Sequence, residues 1–211
     1  MKRHFARAAF AAFAVLLCAC TWAPAQEEGG DFVPLIGEDL SGWTGDTELF
    51  EVEDGVLRCK GGGRGLIQTD RGYTGYVLTL EWRWPDDPGD SGLFLHIGPG
   101  QGTGQWPQCI ETQLYSGNAG DFWLLGVGIT PAQDDAAKTS GRVGRDPGVI
   151  ENAPGQWNTM TITCDGGYIE VLVNGEPANA GYDATRTHGP IGIQCEGSAI
   201  EFRNLRLEPL Q

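Results

Sequence analysis

The sequence predicts an all-β protein, a β-sandwich of the jelly-roll type, as a single domain behind an amino-terminal signal. Strand-like segments recur from Phe50 to Leu207, and no segment after the signal has the periodicity of an amphipathic helix. Glycine is abundant, at 33 residues, and aromatic residues and prolines are scattered through the chain, which is typical of short strands joined by tight turns. Roughly ten strands without helices favour two packed sheets around one core.

The amino terminus has the pattern of a secretion signal. Met1–His4 is basic, and Phe5–Leu17 is mostly Ala, Phe, Val and Leu, a run shorter than the roughly 20 apolar residues that span a bilayer. Two processing sites remain open. Leu17–Cys20 resembles a lipobox, in which Cys20 is lipidated and becomes the new terminus, whereas Ala23–Ala25 offers an ordinary small-residue cleavage site.

These features predict an exported protein, either a lipoprotein of the periplasm or cell envelope or a secreted protein. Residues 1–25 are the signal peptide, with Cys20 as the first mature residue if the chain is a lipoprotein. Residues 26–31 are a short tether, and residues 32–209 are the β-sandwich domain. A membrane contact is expected only through the lipid anchor.

The charge of the mature chain excludes one class of partner. Without the signal, 11 basic residues stand against 28 acidic ones, a net charge of −17. Such a surface repels phosphate backbones and anionic lipids, so we expect no binding to nucleic acid and no electrostatic binding to membranes. The domain keeps four cysteines, which could form disulfides outside the cytosol or remain buried thiols, with partners that sequence does not assign: Cys59, Cys109, Cys164 and Cys195.

Strand composition and turn signals place the elements in order. Asp54-Gly55, Asn174-Gly175 and the glycines after Asp165 are tight-turn signals. Residues 117–155 are rich in Gly, Asp, Ala and Pro and predict a long functional loop. The predicted strands are Phe50–Cys59 (a hairpin), Leu66–Thr69, Gly75–Trp84, Ser91–Ile97, Cys109–Tyr115, Asn158–Cys164, Tyr168–Val173, Gly189–Cys195 and Ala199–Leu207.

Alternation along these strands separates an apolar face from a polar one. In the long strand, Leu78, Leu80 and Trp82 share the face expected in the core. The opposite faces of four strands carry two carboxylates, an imidazole, a guanidinium and two amides: Glu81, Arg83, His96, Glu111, Gln113 and Gln194. If the four strands are neighbours, these side chains form one polar surface. Aromatic residues nearby would complete a surface suited to a sugar: Tyr115, Trp106 and Trp123.

Structural roles are the alternative for several of these residues. Glu81 and Arg83 could be only a cross-strand ion pair, which is worth little at a surface. His96, in an apolar strand, could be a hydrogen-bonded structural residue. Glu111 is the most suggestive candidate, because acidic residues are depleted in strand interiors.

The order of short motifs along the chain resembles one known family. Leu35–Trp43 (LIGEDLSGW), Asp90–Leu95 (DSGLFL), Glu111–Leu114 (ETQL), Gly155–Thr159 (GQWNT) and Gly189–Gln194 (GPIGIQ) follow one another as in that family. The chain thus resembles the 3-keto-disaccharide hydrolase family, also described as 3-keto-glucoside 1,2-lyase/3-keto-2-hydroxyglucal hydratase domains, over residues 32–209. The resemblance implies a concanavalin A-like jelly roll, export, and action on 3-oxidised glycosides.

Two features qualify the chemistry that the resemblance implies. His96 stands where the family usually has Arg. The motif Glu-x-Asp-x-x-Glu of ordinary jelly-roll glucanases is absent from the sequence, which argues against a retaining mechanism with two carboxyls about 5 Å apart.

The resulting hypothesis is an enzyme that cleaves 3-keto-glycosides, by hydrolysis or by elimination followed by addition of water. Glu111 is the predicted base or acid, with His96 or Glu81 as its complement. Arg83, or a divalent metal held by His96 and carboxylates such as Glu111, would stabilise the enolate. The predicted sugar-binding residues are Arg83, Gln113, Tyr115, Gln194, Trp106 and Trp123. The alternatives are a non-catalytic, lipid-anchored carbohydrate-binding module and a surface interaction domain without a sugar ligand.

Overall fold

The computed structural model describes residues 32–133, 138–139, 141–148 and 151–211. The predicted signal peptide and tether, with Cys20, lie outside these residues. Within the described ranges there are seventeen strands and one short 3-10 helix, Thr47–Leu49. None of the helices in this part of the chain is long and apolar enough to cross a membrane.

The strands are short and follow one another closely. In chain order they are β1 (Val33–Pro34), β2 (Trp43–Gly45), β3 (Phe50–Glu53), β4 (Val56–Cys59), β5 (Arg64–Thr69), β6 (Tyr76–Arg83), β7 (Gly92–Leu95), β8 (Cys109–Gln113), β9 (Phe122–Leu125), β10 (Thr130–Pro131), β11 (Lys138–Thr139), β12 (Arg142–Val143), β13 (Asn158–Asp165), β14 (Tyr168–Val173), β15 (Glu176–Tyr182), β16 (Gly192–Glu196) and β17 (Ile200–Pro209).

Two antiparallel sheets form the sandwich. Sheet A has the order β10-β15-β14-β13-β6-β17-β4-β3, with β1 also paired to β17. Sheet B has the order β11-β12-β9-β8-β7-β16-β5-β2. The predicted all-β sandwich is therefore confirmed, and each predicted strand is found within a few residues of its expected bounds.

Alternating burial in β6 shows how the sequence makes the core. Tyr76, Leu78, Leu80 and Trp82 are all at most 2% exposed, while the intervening residues are only partly buried. From sheet B, Leu93, Leu95 and Ile110 and their neighbours pack into the same cluster. Burial of these apolar side chains between the sheets is the main force that holds the sandwich together.

A disulfide joins the two sheets. Cys59 at the end of β4 is bonded to Cys195 in β16, 136 residues later in the sequence. Cys109 and Cys164 are free and buried. The sequence left open whether the four cysteines form disulfides or remain buried thiols. The structure contains one disulfide and two buried thiols.

The interpretation of residues 117–155 as a single loop was wrong in part. β9, β10, β11 and β12 all lie within it, and β9 extends sheet B beside β8. These strands have two to four residues each, too few to show alternation, and glycine and proline separate them.

Candidate functional site

The side of sheet B that points away from the core holds most of the predicted site, and we call it the Glu111 face. Phe94 in β7 is the cross-strand partner of Glu111 in β8, and Glu111 is in turn the partner of Trp123 in β9. These residues alternate with core residues such as Leu95 and Ile110, so their side chains project outward. Glu111 therefore occupies the middle of the face, between two aromatic rings.

Gly92 makes room for the Glu111 side chain. It lies in β7, where a Cβ atom would come within 2.2 Å of Glu111 Oε1 and 2.8 Å of its Cγ. The carboxyl group therefore leans over the bare backbone of Gly92. Any side chain at this position would force it out of place.

The Glu111 carboxyl is buried and incompletely bonded. The residue is only 5% exposed, and its Oε1 has no hydrogen-bond partner in the structure. Burial, together with a smaller effect of the nearby charge of Asp90, raises the pKa of Glu111 to about 8. At neutral pH the group is consequently protonated and can donate a proton.

Two amides lie on the strands that flank Gly92. Gln113 is the cross-strand partner of Gly92, and its Oε1 accepts hydrogen bonds from the backbone N–H groups of Leu114 and Tyr115, each at 2.8 Å. Gln194 in β16 donates through Nε2 to Glu196 Oε2 at 2.8 Å, and its Oε1 is buried without a partner. Both predicted amides thus belong to the Glu111 face.

A cleft of about 440 Å³ opens on one side of Glu111. We call it the Trp123 cleft, and it is lined by Asp90, Gln113, Tyr115, Asn118, Asp121, Trp123 and Arg142. Its wall is held by an ion pair between half-buried Arg142 and buried Asp121, in which Arg142 Nε donates a hydrogen bond to Asp121 Oδ2 at 2.7 Å. Tyr115, 48% exposed, stands at the rim. This volume lies in the range of small-ligand pockets.

A second cleft of about 470 Å³ opens on the other side. We call it the Trp106 cleft, and it is lined by Thr44, Gly45, Asp46, Arg64, Gly65, Leu66, Gln68, Gln105, Trp106 and Pro107. The Trp106 ring meets the Phe94 ring edge to face, with centroids 5.6 Å apart. Because Phe94 is the neighbour of Glu111, an apolar strip connects this cleft to the carboxyl group.

The prediction that Glu81 and Arg83 share this face was wrong. Both lie on β6, which belongs to sheet A, so they point outward on the opposite side of the sandwich. Arg203 donates to Glu81 Oε2 through Nε at 2.9 Å and Nη2 at 2.6 Å. Arg83 Nε donates to Glu201 Oε2 at 2.6 Å, and its guanidinium lies over Trp157. The structure thus supports the alternative, a set of surface ion pairs. The prediction failed because the alternation of side chains along a strand does not reveal to which sheet the strand belongs.

His96 is also absent from the Glu111 face. It follows the last residue of β7 and has a φ of 55°, which interrupts the alternation of side chains. Its ring packs against Tyr76 of the core, with centroids 5.6 Å apart, and Nδ1 lies 3.2 Å from the carbonyl oxygen of Arg186. Burial lowers the pKa of His96 to about 4. Ile97 takes its place on the outer side, beside Phe94 and Cys109.

His96 and Glu111 therefore do not form the metal site considered from sequence, since their side chains lie on different sides of sheet B. Among the described residues, no group of three or more His, Cys, Asp or Glu side chains is placed to hold a metal ion.

Four residues that line the Trp123 cleft were missing from the sequence-based set: Asp90, Asn118, Asp121 and Arg142. The first belongs to Asp90-Ser91-Gly92, a turn-like tripeptide that could deliver a polar group to the rim. The other three lie in the segment interpreted as a loop, where sequence offers no pairing signal.

We expect Gly92→Ala to lower kcat/KM for the 3-keto-glycoside cleavage expected from the sequence by about 100-fold. The added Cβ would displace the Glu111 carboxyl, and a displacement of 1 Å in a reacting group has an effect of this size. Gly37→Ala is the matched control, since a Cβ there meets no atom within 4 Å. Steady-state kinetics and thermal melting of both variants check this. Unchanged kinetics in a folded Gly92→Ala protein would contradict the position assigned to Glu111.

Comparison with known proteins gives a family and a fold. The family model described as 3-keto-alpha-glucoside-1,2-lyase-like domain matches residues 31–208. No curated protein matches the sequence. Two crystal structures from Parabacteroides distasonis ATCC 8503, each provisionally named a glycosyl hydrolase, have the same fold. One is 24% identical in sequence with a TM-score of 0.61, and the alignment covers 85% of this chain and 99% of the other chain. The second is 22% identical with a TM-score of 0.64, and its alignment covers 86% of this chain and 94% of the other chain.

A carbohydrate-binding module has the fold as well. The carbohydrate binding module CBM66 from Bacillus subtilis is 9% identical with a TM-score of 0.58, covering 79% of this chain and 95% of its own. At such identities these structural likenesses establish the fold alone, whereas the family match spans nearly the whole described chain.

Proposed function

This chain belongs to the 3-keto-alpha-glucoside-1,2-lyase-like domain family, and from that premise we propose that it is an exported enzyme that cleaves 3-keto-glycosides at the Glu111 face. The observation that carries the proposal is the buried Glu111 carboxyl, with an unpartnered oxygen, between two clefts that each contain a tryptophan. A buried polar group without a partner is costly to folding, and beside a cleft a bound ligand is one way to satisfy it.

The chemistry of the substrate sets the requirements for catalysis. A ketone at C3 acidifies the hydrogen at C2, so a base can remove it and leave the electron pair in an enolate. The enolate then forms the C1=C2 double bond, restores the C3 ketone and expels the glycosidic oxygen, which needs a proton. Water adds across C1=C2, with hydroxyl at C1 and hydrogen at C2, and the net result is hydrolysis. Protonated Glu111 is suited to protonate the leaving oxygen.

The two clefts supply complementary parts of a sugar site. Tryptophan rings pack against the CH faces of sugars, and amide and guanidinium groups bind hydroxyls. The reacting ring fits the Trp123 cleft, which contains Asp90 and Gln113 beside Glu111. The leaving group extends along the apolar strip of Phe94 toward the Trp106 cleft, where Arg64, Gln68 and Gln105 offer polar contacts.

Activity should fall as pH rises through about 8. The raised pKa keeps Glu111 protonated below this value, and above it the carboxylate has no proton to donate. The profile of kcat/KM against pH, corrected for the spontaneous reaction of the keto sugar, measures this decrease on the alkaline side. A kcat/KM that increases through the same range would overturn the role of Glu111 as an acid.

A carbohydrate-binding module without catalysis is the second candidate, favoured by the fold shared with CBM66. Such a protein would use the same aromatic clefts. It would not require a buried carboxyl group that donates a proton, which is why the enzyme is the preferred proposal.

One assay separates these candidates. The purified domain is incubated with a 3-keto-disaccharide and with the unoxidised disaccharide, and products are followed by NMR. The enzyme proposal predicts release of the two sugars from the 3-keto compound alone. Binding without turnover, detected by calorimetry, would instead identify a binding module. If neither turnover nor binding is detected, the result would favour a surface interaction domain without a sugar ligand.

We also propose that the protein acts in the periplasm or at the cell envelope. The Cys59–Cys195 disulfide supports this, because disulfides persist in oxidising compartments. Mass spectrometry of the mature amino terminus tests whether Cys20 is the lipidated first residue. A full-length, unprocessed terminus in the purified native protein would contradict the proposal.

A further inference from the structure

The proposed reaction needs a base as well as an acid. Glu111 is protonated at neutral pH, so it cannot also take the C2 proton in the same step. The sequence-based complements, His96 and Glu81, lie away from the Glu111 face. Another group on this face must therefore remove the proton.

Asp90 is placed at the correct point of the face. It lies two residues before Gly92, pairs with Glu196 in an isolated bridge, and lines the Trp123 cleft together with Gln113 and Trp123. Its Oδ1 is buried and has no hydrogen-bond partner. Asp90 and Glu111 are also close enough for the charge of one to disfavour ionisation of the other.

The other carboxylates that border the two clefts are already bonded. Asp121 accepts hydrogen bonds from Arg142 Nε and from the backbone N–H of Arg145, both at 2.7 Å. Asp46 Oδ2 accepts a hydrogen bond from the backbone N–H of Leu66 at 2.8 Å. Glu196 forms a salt bridge with Arg64 and accepts a hydrogen bond from Gln194 Nε2. Asp90 and Glu111 are thus the two carboxyl groups on the described part of this face that each have a buried oxygen without a partner.

We propose that Asp90 is the base that removes the C2 proton, while Glu111 protonates the leaving oxygen. The proposal rests on the proposed function. Asp90 becomes a carboxylic acid as the electron pair of the C2–H bond moves into the enolate. Glu111 becomes a carboxylate when the glycosidic oxygen leaves with its proton. Addition of water reverses both transfers and returns the pair to its starting state.

The environments of the two groups fit this division. Burial raises the pKa of both, but the Ser91 N–H and the positive charge of Arg64 oppose the increase at Asp90, whereas no such group opposes it at Glu111. The pKa of Asp90 is therefore held closer to its usual range than that of Glu111, which suits Asp90 to act as the base and Glu111 as the acid.

Hydrogen exchange at C2 separates the two roles. In D₂O with methyl 3-keto-glucoside, removal and return of the C2 proton introduces deuterium even when the leaving group stays in place. We expect Glu111→Gln to retain C2 exchange while its cleavage rate falls. Asp90→Asn is expected to lose exchange and cleavage together, each by at least about 100-fold.

Two further variants control the experiment. Asp87→Asn, at an exposed site nearby, should keep both rates. Asp90→Glu should recover part of the exchange, which a merely structural role would not require, and thermal melting reports folding of each variant. Exchange in folded Asp90→Asn at the rate of Glu111→Gln would overturn the assignment of Asp90 alone. Absence of both exchange and cleavage in the wild-type protein would overturn the proposed function and this role with it.

Discussion

Glu111→Gln is expected to lower kcat/KM for a 3-keto-disaccharide by about 10²- to 10⁴-fold, the usual contribution of a positioned acid. The amide has nearly the same shape as the carboxylic acid and fits over Gly92 in its place, but it cannot protonate the leaving oxygen. The rate loss should therefore come with little change in the packing of the Glu111 face.

Stability measurements distinguish a catalytic loss from a folding defect. Because burial raises the pKa of Glu111, its ionisation favours the unfolded chain as pH increases from 4.5, the ordinary pKa of a glutamate, to about 8. Glutamine removes this effect, so the melting temperature of Glu111→Gln at neutral pH should be no lower than that of the wild type. Glu51→Gln, at an exposed position of β3 in sheet A, is the matched control and should retain activity. Full activity in folded Glu111→Gln would remove Glu111 from the mechanism.

Loss of the Cys59–Cys195 disulfide is expected to lower the free energy of unfolding by about 2–5 kcal/mol. The bond joins β4 of sheet A to β16 of sheet B across 136 residues, and such a long closed loop strongly restricts the unfolded chain. For a domain of this size, we expect the melting temperature to fall by roughly 4–20 °C in the Cys59→Ser/Cys195→Ser variant.

A reductant provides the control for this variant. Treatment of the wild-type protein should lower its melting temperature toward that of the double variant, which should itself not respond. Equal melting temperatures for oxidised wild type and double variant would show that the disulfide contributes nothing measurable.

Much of the fold follows from local sequence. Asp54-Gly55 correctly marks the turn between β3 and β4, and alternation in β6 correctly separates Leu78 and Leu80 from the outer residues. The same alternation places Glu111, Gln113 and Gln194 on one outer face, which the register of β8, β7 and β16 brings together. Such predictions succeed because burial imposes a period of two on each strand.

The remaining features depend on relations that are not local. The pattern of β6 is the same whether it joins sheet A or sheet B, so Glu81 and Arg83 could not be separated from Glu111 by sequence. His96 leaves the face because one backbone angle changes sign at the end of β7. Asp90 reaches the site through pairing with Glu196, more than a hundred residues away. The choice of Asp90 and Glu111 as the candidate acid–base pair depends on these relations, so it required the three-dimensional structure.

A crystal structure of Glu111→Gln with a bound 3-keto-disaccharide tests the assigned roles of Glu111 and Asp90 together. We expect the reacting ring in the Trp123 cleft, with the glycosidic oxygen beside residue 111 and C2 beside Asp90, and the leaving sugar directed toward Trp106. A sugar bound on the outer side of sheet A, or in either cleft with its glycosidic bond remote from residue 111, would contradict these roles.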